Sequence, residues 1–215
     1  MELEYKFYLK SNAYLKEVLN SNFWNEFNSD TWSKHHFVAK YYDTKDSILS
    51  KNKFSLRIRK EDNDNVLTVK TPKFESENGE LSRRGEWNYL WQQDKPDISF
   101  LIDSLAGEIN HTYINLLKSI REENLYSNMT TDVIRYKKNI LLSETQIEVV
   151  LDSGKLFGGS LSDEIHEMEL ELISGEESKL FELAEVIKKR FDLRPGSKSK
   201  MQRCYELLEE SRKLS

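Results

Sequence analysis

The chain has 215 residues, a formal net charge of -5, one cysteine and 11% aromatic residues. A lone cysteine excludes an internal disulfide framework, the aromatic content is too high for a disordered chain, and no window approaches the roughly 18 apolar residues of a membrane helix. The acidic balance gives no electrostatic reason to expect nucleic acid or an anionic membrane as a partner.

With no Pro/Gly/Ser-rich linker in sight, residues 1–215 read as a single domain. Charges at Glu2, Glu4 and Lys6 interrupt any apolar leader, so a cytoplasmic location is expected. In chain order, Glu2 to Phe7 alternates charged and apolar residues, as a strand with one charged face does. Leu15, Val18, Leu19, Phe23 and Phe27 then recur at helical spacing, predicting a helix from Ala13 to about Phe27 capped by Ser11 or Asn12. Strands are expected over Trp32 to Asp43, Phe54 to Lys60 and Val66 to Lys70, with a short turn or helical piece at Asp46 to Ser50.

Pro72 ends this run, and after a polar loop the tryptophans and tyrosine of Leu81 to Trp91 mark another strand. Two helices divided at Gly107 fill Asp97 to about Glu123. Further strands are expected at Thr131 to Leu142, Gln146 to Leu151, Lys155 to Gly158 and Ile165 to Ile173, separated by turns at Asn139, Glu144 and Ser153-Gly154. Helices at Glu176 to Phe191 and Lys198 to Leu214 finish the chain.

About eight strands interleaved with helices predict an α+β fold with an antiparallel sheet large enough to close and helices on its outside. A strand face carrying several like charges cannot point into a dry core, so the apolar faces must pack outward and the charged faces line a wet lumen. The acids placed there are Glu2, Glu4, Glu86, Glu148, Asp152, Glu167, Glu169 and Glu171. The bases are Lys6, Arg57, Arg59, Lys70, Arg84, Arg135, Lys137, Lys200 and Arg203. Carboxylates without histidine or cysteine partners favour Mg2+ or Mn2+, and arginine and lysine together grip phosphate oxygens. His35, His36, His111 and His166 have no metal-ligand spacing.

These residues resemble the CYTH proteins, also called triphosphate tunnel metalloenzymes. The resemblance begins with Glu2-x-Glu4-x-Lys6 and keeps its order through Tyr41-Tyr42-Asp43-Thr44, Leu56-Arg57-Ile58-Arg59, Thr68-Val69-Lys70 and Arg84-Gly85-Glu86-Trp87-Asn88. It continues through Thr131-Asp132 with Arg135, Ile147 to Asp152, Glu167 to Glu171, and Gly196-Ser197 with Ser199-Lys200 and Arg203. The branch most similar is the CYTH domain of bacterial inorganic triphosphatases, which often carries a C-terminal CHAD domain that has no counterpart among these residues. Cys204 stands where that pattern has glycine.

The resemblance implies a closed eight-stranded antiparallel β-barrel, a tunnel with flanking helices, in which inorganic triphosphate is cleaved to pyrophosphate and phosphate. It implies that Arg57, Arg59, Lys70, Arg135 and Lys200 bind the triphosphate, with Arg84, Glu86, Lys137 and Arg203 beside them. Glu2, Glu4, Asp152, Glu167 and Glu169 would hold one or two Mg2+ ions, or Mn2+. Lys6 with Tyr41, or an acidic metal-bound water near Glu169 or Glu171, would activate the attacking water. Nucleoside or thiamine triphosphate hydrolysis, a class IV adenylate cyclase and a polyphosphate-binding module without turnover share the same tunnel. The expected partner is a small-molecule triphosphate, not nucleic acid or membrane, and a homodimer is the one assembly considered.

Overall fold

Strand β1 (Glu2–Tyr8) sets the plan of the molecule, because both of its faces are buried: Leu3 and Phe7 on one, Glu2, Glu4 and Lys6 on the other. The computed structural model describes residues 1–61, 64–75 and 81–214. After β1 come α1 (Asn12–Leu19), a 3-10 helix (Asn22–Glu26), β2 (Asn28–Ser29), β3 (Ser33–Asp43), α2 (Ile48–Lys51), β4 (Ser55–Glu61) and β5 (Asp64–Lys70). The chain continues with β6 (Phe74–Glu75), β7 (Leu81–Arg84), β8 (Glu86–Trp91), α3 (Ile98–Ser104), α4 (His111–Ser119) and β9 (Tyr126–Leu142). It ends with β10 (Thr145–Gly158), β11 (Leu161–Ser174), α5 (Glu177–Arg190), β12 (Arg194–Pro195) and α6 (Lys200–Leu214).

The 12 strands among the described residues join one antiparallel sheet in the order β6-β7-β1-β11-β10-β9-β3-β4-β5-β8, with β12 beside β1 and β2 beside β9. The sheet curls into a half-barrel, and this corrects the expected closed eight-stranded barrel. Its ladder stops at β6 and β7 on one side and at β8 on the other, because the stretch read as one strand divides at Gly85. There the Gly85 carbonyl accepts from Thr71 N at 3.0 Å and its N–H donates to Thr71 Oγ1 at 3.0 Å. In consequence β7 pairs with β1 and β6 whereas β8 pairs with β5. The polar loop expected before Leu81 falls mostly on residues 76–80, outside those described.

Three other expectations change. The helix from Ala13 stops at Leu19, and Ser21 Oγ accepts from Phe23 N at 3.2 Å to start the separate 3-10 turn. Asn139 and Ser153-Gly154 are not turns but lie inside β9 and β10, and the turns fall at Ser143 and Gly159, with φ of 55° and 59°. Gly154 is needed for close approach, since a Cβ there would lie 2.1 Å from the Asp132 carbonyl oxygen on β9.

Convex faces of the sheet pack on helices as the alternation requires. Leu170 and Val149 meet Leu15 of α1 and Leu183 and Ile187 of α5. Leu56 and Leu67 meet Leu101 of α3 and Leu117 of α4. Each such fully buried side chain contributes about 1.5–3 kcal/mol. The last helix departs from the expectation of helices outside only. Met201, Cys204 and Leu208 of α6 pack against Tyr41, Val133, Leu156 and Ile165. Those residues share strand faces with Arg57, Arg135 and Glu167, so α6 occupies the concave side and stops one end of it. Cys204 is fully buried there, its thiol pushed up to about 12 by burial.

The crowding at Gly154 predicts that Gly154→Ala lowers stability by about 2 kcal/mol or more in urea denaturation, because a methyl must displace backbone rather than a flexible side chain. A midpoint equal to that of the wild type would contradict this packing.

Candidate active site

Strand register gathers the concave charges into rows. Glu4, Glu171 and Glu148 lie side by side across β1, β11 and β10. Lys6 pairs with Glu169, and Asp152 is flanked by Glu167 and Arg135. Between these rows and the opposite wall of β4, β5 and β8 lies a cavity of about 310 Å3. Cations outnumber carboxylates on its wall, although the chain as a whole carries a charge of -5.

At the α6 end, Asp152, Glu167 and Glu169 bring one oxygen each to within 4.8 Å of one another. Lys200 Nζ sits among them, 2.8 Å from Asp152 and 3.0 Å from Glu169 and also paired with Glu167. Lys6 Nζ contacts Glu169 and lies 3.3 Å from Glu167, while Arg135 grips Asp152 through Nε at 2.8 Å and a terminal nitrogen at 2.6 Å. Burial opposes charge on Glu169, but Lys200, Lys6 and Arg135 outweigh it and hold the carboxyl well below its usual range. Burial wins at Glu167, whose carboxyl is raised and whose buried Oε2 has no hydrogen-bond partner among the described residues. That orphaned oxygen in an all-carboxylate set fits a hard divalent cation.

Glu2 and Glu4 form a second acidic group. Glu2 accepts from Arg84 Nε at 2.5 Å and from Lys70 at 2.9 Å, and Glu4 accepts from Ser82 at 3.1 Å with Arg84 3.6 Å away. Burial works against the Glu2 charge, yet Lys70 and Arg84 hold its carboxyl far below normal. The five expected metal ligands thus lie in two groups, Asp152, Glu167 and Glu169 in one and Glu2 and Glu4 in the other. Glu86 pairs with Lys70 at 2.5 Å, and Lys137 pairs with Glu148 at 2.7 Å.

The opposite wall is short of negative charge. Arg57 is 9% exposed, makes no ion pair among the described residues, and has a buried Nε without a partner. Arg59 has Glu61 at 2.6 Å, but burial followed by the charges of Arg57 and Arg135 brings its guanidinium down to about 10. A buried arginine without a counter-charge, beside a second one that it repels, forms a site for an anion. Tyr41 lines the cavity beside Arg57, with no hydrogen-bond partner for its hydroxyl among the described residues.

Two expected roles read differently in this geometry. Burial disfavours charge on Lys6, but Glu167, Glu169 and Glu4 raise it well above an ordinary lysine, so Lys6 stays protonated. Glu171 is pushed up to about 7, first by burial and then by Glu2, Glu86 and Glu4, against Lys70. Arg203 is not brought into the site: it turns outward to Asp163 at 2.5 Å and the Glu164 carbonyl at 2.7 Å. Glu148 lines the cavity without an expected role there; Ser55 and Asn88 line it too, and Phe37 lies against Arg59 and Arg135. Two-residue steps from Arg57, Tyr41 and Glu86 reach Ser55, Phe37 and Asn88. The approach of Lys6 depends on Gly196, where a Cβ would lie 2.7 Å from Lys6 Cγ.

Several solved structures share this architecture. A Hippeastrum protein with a dominant triphosphatase activity matches with a TM-score of 0.60 at 19% identity, covering 96% of each chain. A protein of Pyrococcus horikoshii OT3 matches at 0.53 and 20%, over 96% of this chain and 99% of that one. Residues 1–205 match the CYTH domain, and the chain belongs to the CYTH family. An inorganic triphosphatase of Haemophilus influenzae is 32% identical over 172 residues, 78% of this chain and 44% of that protein. The chain thus spans less than half the length of that relative. Among the described residues, no helix is long and apolar enough to cross a membrane.

Glu171 gives the site a pH signature. Its folded pKa of about 7 lies above the ordinary 4.5, so the folded state holds the proton more tightly, and its stability contribution is complete below about pH 4.5 and lost as pH rises through 7. Glu2, Asp152 and Glu169, all lowered, act in the opposite sense at more acid pH. The thermal midpoint of metal-free wild type should fall between pH 5 and pH 8 more steeply than that of Glu171→Gln. Parallel profiles would contradict the assignment.

Proposed function

We propose that the protein is a cytoplasmic, metal-dependent hydrolase that cleaves inorganic triphosphate to pyrophosphate and phosphate. The observation that carries this reading is the buried Arg57, without an ion pair among the described residues, lining with Arg59 the same cavity as Glu169 of the carboxylate cluster. A linear polyanion neutralises the basic wall while the acidic wall remains for a cation. Arg57, Arg59, Arg135, Lys70 and Lys200 hold phosphate oxygens, with Arg84 and Lys137 at the margins.

Asp152, Glu167 and Glu169 would hold Mg2+ or Mn2+, with Glu2 and Glu4 on the neighbouring strand position, and the ion would neutralise charge on the phosphate oxygens. Lys6 and Lys200 leave these carboxylates for the phosphates when both ligands are present. Lys6, kept protonated, acts as a fixed positive charge rather than a base. Glu171, with its pKa near the working pH, accepts the proton of the attacking water. The new bond joins water oxygen to the terminal phosphorus, and the bond to the bridging oxygen breaks to release pyrophosphate. Tyr41 orients the terminal phosphate or the water from the wall beside Arg57.

A panel of tripolyphosphate, ATP, thiamine triphosphate and pyrophosphate, each with Mg2+ or Mn2+, tests the reading. Tripolyphosphate should turn over fastest, and Glu171→Gln should lower kcat by about 10²–10⁴-fold while tripolyphosphate affinity changes little. Faster release from ATP or thiamine triphosphate would move the substrate to an organic triphosphate, and cyclic nucleotide from ATP would make the protein a cyclase. Tight binding without turnover under every metal would leave a polyphosphate-binding module.

A further inference from the structure

Arg59 on β4 and Arg135 on β9 belong to strands that do not touch, because β3 runs between them. At that level β3 presents Phe37, whose register partners are Glu61 on β4 and Val133 on β9. The ring centroid of Phe37 lies 4.6 Å from Cζ of Arg59 and 5.7 Å from Cζ of Arg135. Its far neighbour is His35, stacked with centroids 5.7 Å apart and planes inclined by 18°. Phe37 is 8% exposed, so this aromatic ring sits almost dry behind two guanidinium groups that both line the cavity.

Although Val133 and Ala39 are its apolar neighbours on the concave face, the ring belongs to none of the three apolar clusters, so core packing alone does not explain it. Its electronic character does. The negative face of a ring attracts cations, most strongly where water is excluded, and guanidinium planes stack on it. Without the ring, each arginine has a competing carboxylate close by: Glu61 for Arg59, and Asp152 with Glu169 for Arg135. Glu61 lies on the β4 side and Asp152 on the β10 side, so these carboxylates pull the two groups in opposite directions, and both groups contact the ring.

We propose that Phe37 is a positioning residue whose ring holds Arg59 and Arg135 together as a two-guanidinium platform for one phosphoryl group of a polyphosphate. The proposal rests on the triphosphatase reading and adds to it the residue that organises the anion clamp. Phe37 touches no reacting atom in this account. It sets the spacing of the groups that do.

The test compares F37L, which removes the aromatic face, with F37Y, which keeps it. In metal-free protein, calorimetric titration with tripolyphosphate should show affinity about tenfold weaker for F37L and within about twofold of wild type for F37Y. The Nε–H resonances of Arg59 and Arg135 should be displaced to high field by the ring current in wild type and F37Y, and should return to ordinary positions in F37L. Should F37L fail to fold, Phe37→Met carries the same expectations with similar volume and no ring. Wild-type affinity in F37L, or equal losses in F37L and F37Y, would overturn the role of Phe37. Displaced arginine resonances in a wild type that binds no tripolyphosphate would instead overturn the triphosphatase reading.

Discussion

Charge confined to the inside of a curled sheet is the constraint on which the rest of this molecule depends. Every strand that contributes charges to the concave face must bury its apolar side on the convex face, and α1, α3, α4 and α5 exist in the fold to cover that side. On the concave side the carboxylates and cations must neutralise one another or be completed by a ligand, since unpaired buried ions are too costly to keep without cause. Lys6, Lys200 and Arg135 satisfy this condition against Asp152, Glu167 and Glu169. Among the described residues Arg57 finds no such partner.

The balance therefore divides the labour between faces. Convex apolar packing supplies stability, and part of that stability is spent holding a basic wall in a state that only an anion relieves. The acidic wall is neutralised from within, the Lys6 and Lys200 ammonium groups sitting among carboxylates whose chemistry fits a divalent cation. In the proposed function a triphosphate would satisfy the basic wall and compete for the same lysines, so polyanion and cation would assist one another through shared side chains. Helix α6 links the two walls mechanically: its first residue is Lys200, and its buried Met201 and Cys204 plug the end of the cavity.

Strand faces were legible from the sequence because period-two alternation survives tertiary packing: Glu2, Glu4 and Lys6 turn inward and Leu3 and Phe7 outward, as their spacing requires. The family was legible for the same reason, since its motifs lie on strand faces whose order the chain preserves. What escaped the reading depended on contacts distant in sequence. Gly154 resembles a turn glycine until the Asp132 carbonyl is known to press against it, and Gly85 resembles any strand glycine until Thr71 takes both of its hydrogen bonds. The position of α6 was invisible because an apolar stripe does not say which face of a sheet it will meet. Arg203 shares a motif with Lys200, but one helical turn further along α6 its guanidinium is taken by Asp163 and the Glu164 carbonyl of β11, contacts distant in sequence.

The central claim, that unpaired Arg57 marks the seat of a polyanion, is tested most directly by the thermal midpoints of wild type and Arg57→Met, each with and without tripolyphosphate and in the absence of metal. Removing an uncompensated buried charge should make the ligand-free variant more stable than wild type, whereas tripolyphosphate should raise the wild-type midpoint and leave that of the variant nearly unchanged. A variant that is less stable than wild type without ligand, yet stabilised as much as wild type by tripolyphosphate, would contradict the account.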